Sequence, residues 1–559
     1  DFYFNHPNVP MFVAKKLIQR FTVSNPSPRY IKKVSDAFRS GSFTTRKVKF
    51  GDDTYGNLEA TLAAVILERE ARSVILDADP VSGSMREPAL KIISFLRAME
   101  FVKLEQSPQL RIRWEEIGNL PYNADSVFGF FEDAYAGSNN LALAKLVSPE
   151  KSAIDSVSTI SFLNAMSSLI ENGITSCYGG LGDRTTLECW RFNQGFDSSN
   201  DKDRQSRGKL TFLPKRPEDG IKVVREMALL LTGGRMNKSS RNLLQSAYNE
   251  ELIKKGSDAA IRLLQRLFLY TPEYHSTGIF RPNGFERESN EPSGSFEEED
   301  YKAVVYFFLN GGIDGYNVLI PHSDCGSKDM FMQYETVRGS NALNKGSLSN
   351  TLINAAASSQ VCDTFGVHSS IPILKQLYDD GDLSFVANAG LLNEYVTTKD
   401  YNVKTKIKIG AHNIQRDEMM KQDVADIHPG KGVGGRLLDV LKKLNHLVSG
   451  TSVSSGGKVL ESYSVPAINV NANGVERFSP MTFVNKRLTD LALLNNVTSL
   501  GSNFMADIWA RSIQFDIEEN ERIGDAVQQA NVQTSFPSTN FGTQFETIAT
   551  MINTTDIRK

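Results

Sequence analysis

One polar segment separates two parts of this chain that have different sequence patterns. Residues 281–300 collect Pro, Gly, Ser and acidic side chains and contain little that a core can bury. Before this segment apolar residues recur at helical spacing, and after it β-branched and aromatic runs alternate with helical patterns. At 559 residues the chain also exceeds one ordinary core. We therefore predict a helical domain over 1–280, a linker over 281–300 and an α/β domain over 301–559.

The first part predicts amphipathic helices. Residues 57–76 carry apolar side chains at spacings of three and four, which favours one continuous helix. Pro88 lies where the first turn of another helix tolerates proline, and the glycines at 233 and 234 are a helix stop. Residues 197–209 are polar and charged, so we predict an exposed loop there.

The second part predicts strands that alternate with helices. Residues 303–312, AVVYFFLNGG, are typical of a strand buried on both faces. Residues 371–390 predict a helix, a glycine turn and a further strand. This alternation is typical of an α/β domain with a mainly parallel sheet.

Composition excludes several classes of partner. The 62 basic and 65 acidic side chains give a formal charge of −3. The chain therefore has no excess of positive charge with which to bind nucleic acid or an anionic membrane. No apolar run approaches the roughly 18–20 residues that span a bilayer. The first residues show no signal-peptide pattern. We predict no nucleic-acid partner and no transmembrane segment.

The cysteines and the glycosylation sequons leave alternatives open. Cys177 with Cys189, and Cys325 with Cys362, can form two local disulfides in an oxidising compartment, or all four can be free buried thiols. Three N-x-S/T sequons permit glycosylation and also arise by chance, at Asn237, Asn496 and Asn553.

Asp314 is the first candidate for chemistry, because it follows the predicted buried strand and the glycines Gly311 and Gly312. Ligands of open α/β sheets bind at the carboxyl ends of strands, so this carboxylate could hold a divalent cation. An Asp-Gly pair after a strand is also a common turn. His368, before a helix, is either a pocket residue or a structural residue of its loop.

Two further side chains can join Asp314 only if the fold brings them together. His412 and Asp417 open a predicted helix, and with Asp314 they would form a metal site. No nucleophile elbow, P-loop, H-E-x-x-H or G-x-G-x-x-G motif is present. Residues 431–441, KGVGGRLLDVL, read as a phosphate loop or, more simply, as a tight turn into a helix.

Ordered blocks of the first part carry a family resemblance. FNHPNVPMFVAKKLIQRFTVSNPSPRYIKKVSDAF, REPALKIISFLRAMEF and LLQRLFLYTPEYHSTG resemble the later part of a bacterial family labelled "unknown function 1800". The second part, through FFLNGGIDGYNVLIP, AHNIQRDEMMKQD and GVGGRLLDVL, resembles a family labelled "unknown function 1501". The two families often occur together, frequently in secreted proteins. The second is grouped with alkaline phosphatases and sulfatases, whose members act on phosphate or sulfate esters through divalent metals.

This resemblance implies metal-binding roles for Asp314 and His412, and it also marks two departures. The family's usual Ser-His-Phe block reads Ala411-His412-Asn413 here, so the hydroxyl is missing. The family pattern continues into a G-G-[FW]-D-x-H block, whereas the sequence given ends at Lys559. We expect this chain to be part of a longer polypeptide that, as given, lacks a full two-metal site.

These departures predict a non-catalytic, exported binding or assembly protein built on a degenerate phosphatase-like domain, without a cofactor. Its partners would be protein subunits, extracellular matrix or carbohydrate in a larger extracellular, cell-surface or periplasmic assembly. One alternative is a metal-dependent hydrolase of phosphate or sulfate esters, which would need a divalent metal. A second alternative is a carbohydrate-binding protein that uses the aromatic residues Tyr178, Trp190 and Phe192.

Overall fold

The structure is a computed structural model, and its described residues form two compact units. The described ranges are 1–103, 117–118, 129–136, 141, 144–175, 180–182, 208–286, 301–309, 312–387, 389–392, 394–405, 412–423, 431–453, 458–470, 477–478, 484–496 and 499–554. The helical unit comprises 1–301 and 410–559, and the inserted unit comprises 302–409. Residues 410–559 thus group with the first part of the chain. The predicted boundaries, 1–280, 281–300 and 301–559, stay a prediction.

The helical unit is built from helices along both of its chain segments. Their bounds are α1 Val9–Phe21, α2 Pro28–Ser40, α3 Leu58–Leu67, α4 Arg69–Arg72, α5 Pro88–Ala98, α6 Ser156–Asn172, α7 Gly220–Thr232, α8 Lys238–Lys255, α9 Ser257–Phe268 and α10 Pro272–His275. The helices of the second chain segment, after the inserted unit with its helices α11–α13, are α14 His412–Lys421, α15 Val433–Lys443, α16 Val484–Asn495, α17 Phe504–Gln529 and α18 Asn540–Asn553. Pro88 lies in the first turn of α5, and Gly233, with φ of 62°, ends α7, as predicted.

The long helix predicted over residues 57–76 was wrong in its length. Helix α3 ends at Leu67, because Glu68 has an extended backbone and its carboxylate accepts a hydrogen bond from the Glu70 N–H at 2.7 Å. That side-chain cap starts the new turn α4 and competes with continuation of α3. Arg29 also binds the Glu68 carboxylate with two nitrogens, at 2.9 and 2.8 Å, which holds this break against α2.

The main core joins the two chain segments of the helical unit. Apolar side chains of α5, α6, α7, α8 and α9 pack with Met505, Trp509, Ile513 and Ile517 of α17. These four residues are spaced by four and form one stripe along the helix. Helix α17 is therefore part of the core of the first chain segment.

Short strands complete the helical unit. Antiparallel pairs are formed by β1 Phe43–Thr44 with β2 Lys49–Phe50, by β3 Phe101–Lys103 with β4 Gly208–Leu210, and by β5 Pro282–Glu286 with β11 Ser499–Gly501. A parallel pair is formed by β9 Gly450–Ser452 and β10 Ala467–Asn469. The β5–β11 pair joins the end of the first segment to the second.

The inserted unit has its own small core. Its antiparallel sheet has the order β6-β8-β7, and its elements are β6 Leu319–Ser323, α11 Met330–Arg338, β7 Leu352–Asn354, β8 Thr364–Val367, α12 Ile373–Asp379 and α13 Tyr401–Lys404. Ile320, Phe331, Tyr334 and Leu348 form the core. Cys325 and Cys362 form a disulfide, one of the two pairings left open by the sequence.

The fold is mixed helix and sheet, which agrees with the α/β class at that coarse level. The mainly parallel sheet that was predicted is not shown, since the β6-β8-β7 sheet is antiparallel. The strand predicted over 303–312 was wrong for the part described, because 303–309 forms no strand and Val304 is 83% exposed. The strand predicted after α12 is likewise absent from 383–387. An apolar, β-branched run favours a pleated, half-buried surface, but its composition does not specify a partner strand. Among the described helices, none combines the length and hydropathy that a bilayer span requires.

Glu273 predicts a measurable pH dependence of stability. Burial raises the pKa of this fully buried carboxyl to about 7, although the Asn237 amide, 3.2 Å away, lowers it in part. A raised carboxyl pKa contributes stability that is fully present below its ordinary value of 4.5 and is lost as pH rises through 7. We expect Glu273→Gln to be about as stable as wild type at pH 4 and about 3 kcal/mol more stable at pH 8.

Urea unfolding of both proteins at pH 4, 6 and 8 measures this difference. Glu250→Gln is the matched control, because Glu250 is an exposed acid on α8 that pairs with Lys254 at 2.6 Å. It should follow wild type at each pH. A Glu273→Gln difference that does not change with pH would show that the folded core does not raise the pKa of the Glu273 carboxyl.

Candidate functional site

Asp314 lies in the inserted unit, at the start of the short 3₁₀ turn Gly315–Asn317. Its carboxylate oxygen Oδ2 accepts a hydrogen bond from Asn317 Nδ2 at 2.8 Å and forms an ion pair with the Arg338 guanidinium. Arg338 is the last residue of α11, and its guanidinium also lies over the Tyr316 ring at 5.6 Å. A residue of the 3₁₀ turn and one from the end of α11 therefore both bind the same carboxylate oxygen.

A hydrogen-bond chain continues from this pair into the core of the inserted unit. The Asn317 Oδ1 atom accepts from the Tyr334 hydroxyl at 2.6 Å, and that hydroxyl accepts from the Leu343 N–H at 2.7 Å. Tyr334 is 7% exposed and packs with Phe331. Asp314 is thus the outer end of a network that fixes the turn before β6 against α11.

This arrangement determines what Asp314 can do chemically. A metal ligand directs a carboxylate lone pair at the cation, and a neighbouring positive charge opposes binding of that cation. Here Oδ2 is used by two donors, one of them a guanidinium that supplies the compensating positive charge. The geometry fits a structural ion pair.

His368 follows β8 and makes hydrogen bonds to nearby backbone. Its Nδ1 atom accepts from the Ser370 N–H at 3.1 Å, its own N–H donates to the Val318 carbonyl at 3.1 Å, and its carbonyl accepts from the Ile371 N–H at 3.0 Å. These bonds close the turn between β8 and α12 and tie it to the residue before β6. A role for His368 in a pocket stays a prediction.

Asp417 lies in the other unit, on α14. It neighbours Arg416, whose Nε lies 3.3 Å from its carboxylate, and it interacts electrostatically with Lys458 and Glu461. Lys458 Nζ also lies 3.3 Å from a carboxylate oxygen of Glu132. We call Glu132, Asp417, Lys431, Lys458 and Glu461 the acid–lysine cluster, since Lys431 also interacts with Lys458 and Glu461.

The electrostatics of the acid–lysine cluster follow from burial and from its own charges. Burial raises the pKa of Glu461, against the attraction of Lys458 and Lys431. Burial also lowers the pKa of Lys431. For Lys458 burial lowers the pKa, but the carboxylates of Glu461 and Glu132 outweigh burial and the net shift is upward. The cluster binds together segments that are far apart in sequence.

Sequence reasoning singled out Asp417 and missed the rest of this cluster. Glu132 and Glu461 are 329 residues apart, and neither lies in a recognisable motif. No signal in a single sequence links such positions. Reasoning of this kind finds residues that share a helix or a loop, and these do not.

The glycines of KGVGGRLLDVL serve close packing, as the tight-turn interpretation requires. A Cβ atom on Gly432 would lie 1.8 Å from the Lys458 carbonyl oxygen, and one on Gly435 would lie 1.9 Å from that of Glu461. The Gly432 N–H donates to the Glu461 carbonyl at 3.0 Å. The start of α15 therefore lies directly against the backbone of 458–461, where no side chain fits.

We expect Gly435→Ala to lower the free energy of unfolding by about 1–3 kcal/mol, because the added methyl group must displace backbone. Gly390→Ala is the matched control, since nothing lies within 4 Å of a Cβ atom there. Chemical denaturation of both variants makes the comparison. Equal stability of Gly435→Ala and wild type would show that α15 does not lie this close to 458–461.

The remaining predicted site residues are placed as follows. The Asn237 side chain caps α8, and its Nδ2 donates to the Phe280 carbonyl at 2.8 Å, a bond that a glycan on Nδ2 would disturb. Asn496 is partly exposed with φ of 38°, and Asn553 Nδ2 donates to the Asn531 carbonyl at 2.9 Å. Glycosylation at these sequons stays a prediction.

Several predictions fall outside the described residues. His412 begins α14, but its side chain is outside the described part, as are the residues Gly311, Cys177, Cys189, Tyr178, Trp190 and Phe192 and most of the loop predicted over 197–209. Within the described ranges, no three or more His, Cys, Asp and Glu side chains are grouped so as to hold a metal ion. The proposed ligand set of Asp314, His412 and Asp417 stays untested.

Comparison with known proteins covers the first part of the chain. Residues 1–276 match the model of a family described as "Protein of unknown function (DUF1800)". No curated protein and no solved structure matches the chain. The resemblance of 301–559 to a second family therefore stays a prediction, whereas the N-terminal part of this chain matches a family whose function is not established.

Proposed function

We propose that this protein is a non-catalytic, exported binding or assembly protein, whose inserted unit keeps the first acid of a phosphatase- or sulfatase-like site in a structural role. The observation that carries the proposal is the ion pair of Asp314 with Arg338, together with the hydrogen bond from Asn317 to the same oxygen. A carboxylate paired in this way already has its counter-charge. Ala411, in place of the family's serine, supports the same conclusion.

Two further features support a role outside the cytoplasm and in binding. The Cys325–Cys362 disulfide is of the kind that persists in oxidising compartments. The inserted unit also exposes large apolar side chains, among them Val304, Val386 and Tyr395, each more than 80% exposed. Where such side chains form one continuous patch, they suit contact with a protein partner.

Ester hydrolysis tests the proposal directly. The full chain is incubated with p-nitrophenyl phosphate and p-nitrophenyl sulfate, each with Zn²⁺, Ca²⁺, Mn²⁺ or Mg²⁺. We expect product formation at the same background rate for wild type, Asp314→Ala and the control Glu335→Ala, which removes an exposed acid of α11. Metal-dependent turnover that Asp314→Ala abolishes and Glu335→Ala retains would instead establish the hydrolase.

The variant Arg338→Met distinguishes a metal site that Arg338 blocks from an Asp314–Arg338 ion pair that is only structural. If Arg338 only blocks a working metal site, this variant should acquire metal-dependent hydrolysis that depends on Asp314. The proposal predicts no such gain and a modest loss of stability in the inserted unit, because the Asp314 carboxylate loses its ionic partner.

A further inference from the structure

A lysine and a histidine are paired in the core of the helical unit. Lys91 of α5 and His275 of α10 are 2% and 0% exposed, and Lys91 Nζ lies 3.0 Å from His275 Nδ1. The other ring nitrogen, Nε2, lies 2.7 Å from the Leu269 carbonyl oxygen. A carbonyl oxygen only accepts, so Nε2 carries a hydrogen and Nδ1 of the neutral ring accepts from Lys91.

This geometry limits the number of protons that the pair can hold. With one ionising proton shared between them, either Lys91 donates to Nδ1 or a protonated Nδ1 donates to a neutral amine. If both Lys91 and His275 were protonated, an N–H of each side chain would point at the other, and two positive charges would lie 3.0 Å apart in the core. The pair therefore accommodates one proton.

The groups that face the Lys91–His275 pair do not stabilise a second positive charge on it. Lys91 Nζ lies over the rings of Phe162 at 4.5 Å and Trp509 at 5.7 Å, which suit one cation. Arg86 acts on both Lys91 and His275, and Lys151 acts on Lys91, all with the same sign of charge. Among the described residues, neither Lys91 nor His275 has a carboxylate at ion-pair distance.

The pair is also in contact with α17, the helix from the second chain segment. The His275 ring stacks on Trp509 with ring centroids 3.3 Å apart and planes 7° apart. The Trp509 indole N–H donates to the Tyr270 carbonyl at 3.1 Å. A change of charge on His275 therefore acts on the side chain that anchors α17 in the core.

We propose that the Lys91–His275 pair is a proton-sensitive lock on α17, and that a second proton on this pair weakens the packing of α17 against the core of the first chain segment. The inference is independent of the proposed function. It assigns a conformational role to two residues of the other unit.

Two buried acids oppose this effect and must be separated from it. Burial raises the pKa of Asp516 on α17, and that of Glu273 on α10, to about 7. Both acids favour the folded state as pH falls, so the response of wild type is the sum of opposing contributions. Comparison of wild type with a variant that changes only His275 cancels the contributions of both acids.

The test is hydrogen–deuterium exchange of peptides from α17 in the full chain, at pH 7.5 and pH 5.0, corrected for intrinsic exchange. His275→Gln keeps a donor to Leu269 and an acceptor for Lys91 but cannot take a proton. We expect the ratio of opening constants, wild type to His275→Gln, to rise about 30-fold between the two pH values. The factor follows from proton linkage. His275 has its ordinary pKa of 6.5 when α17 is open, and its pKa is far lower when α17 is packed, so the open state takes up a proton between the two pH values and the packed state does not.

Controls keep the proposal falsifiable. His6→Gln changes an exposed histidine, so its ratio to wild type should not vary with pH. If His275→Gln does not fold, His275→Phe keeps a ring against Trp509 and is expected to give the same change. A ratio that stays within threefold between pH 7.5 and 5.0 for the folded His275 variant would overturn the proposal.

Discussion

Replacing Trp509 with alanine is expected to lower the free energy of unfolding of the helical unit by about 3–5 kcal/mol. Trp509 is 1% exposed, so truncation leaves a cavity in the core shared by the two chain segments. The change also removes the stack on His275 and leaves the Tyr270 carbonyl without the indole donor at 3.1 Å. Asn495 Nδ2 still donates to that carbonyl at 3.0 Å, so the loss comes mainly from packing.

Urea unfolding followed by far-ultraviolet circular dichroism measures this loss. Leu493→Ala is the control, since Leu493 is a large apolar residue of α16 that is 60% exposed, and its removal should change stability by less than about 0.5 kcal/mol. Trp509→Phe, which keeps most of the volume, should lie between the two. If Trp509→Ala were as stable as Leu493→Ala, α17 would not be part of this core.

Replacing Cys362 with serine is expected to lower the free energy of unfolding of the inserted unit by about 3–4 kcal/mol. The disulfide closes a loop between residues 37 apart, from the end of β6 to the start of β8. Without the cross-link the unfolded chain gains conformational entropy. Cys362 is also 1% exposed, so the new hydroxyl would be buried where the sulfur lay.

Hydrogen exchange of peptides from β6 and β8, in the full chain with and without reductant, reports this loss for the inserted unit alone. Cys325→Ser should lose a similar amount, and the double variant little more than either, because all three break the same bond. Reductant should weaken wild type and leave Cys362→Ser unchanged. Free thiols at both positions in the purified oxidised protein would contradict the account.

Local sequence signals were sufficient to predict where several helices begin and end. Pro88 and Gly233 act through their own backbone preferences, which do not depend on the rest of the fold. The break at Glu68 was missed because it depends on a side-chain cap and on Arg29 from another helix. The run at 303–309 was wrongly predicted as a buried strand because composition does not identify a partner strand.

The candidate site shows the same division between local and distant information. The sequence singled out Asp314, and its place after an apolar run followed from local pattern. Arg338, which determines the charge environment of Asp314, lies 24 residues away at the end of a different element. Likewise Asp417 was singled out, but Glu132 and Glu461 were found only from the fold. Pattern selects residue types, and packing determines which of them meet.

Calorimetric titration of the full chain with Zn²⁺, Ca²⁺ and Mn²⁺ tests the central claim most directly, with wild type, Asp314→Ala and Glu335→Ala compared in parallel. Because the Asp314 carboxylate is paired with Arg338, we predict that the three proteins give the same isotherms, with no binding site that depends on Asp314. About one equivalent of metal bound by wild type and by Glu335→Ala, but not by Asp314→Ala, would contradict the claim and make Asp314 a metal ligand.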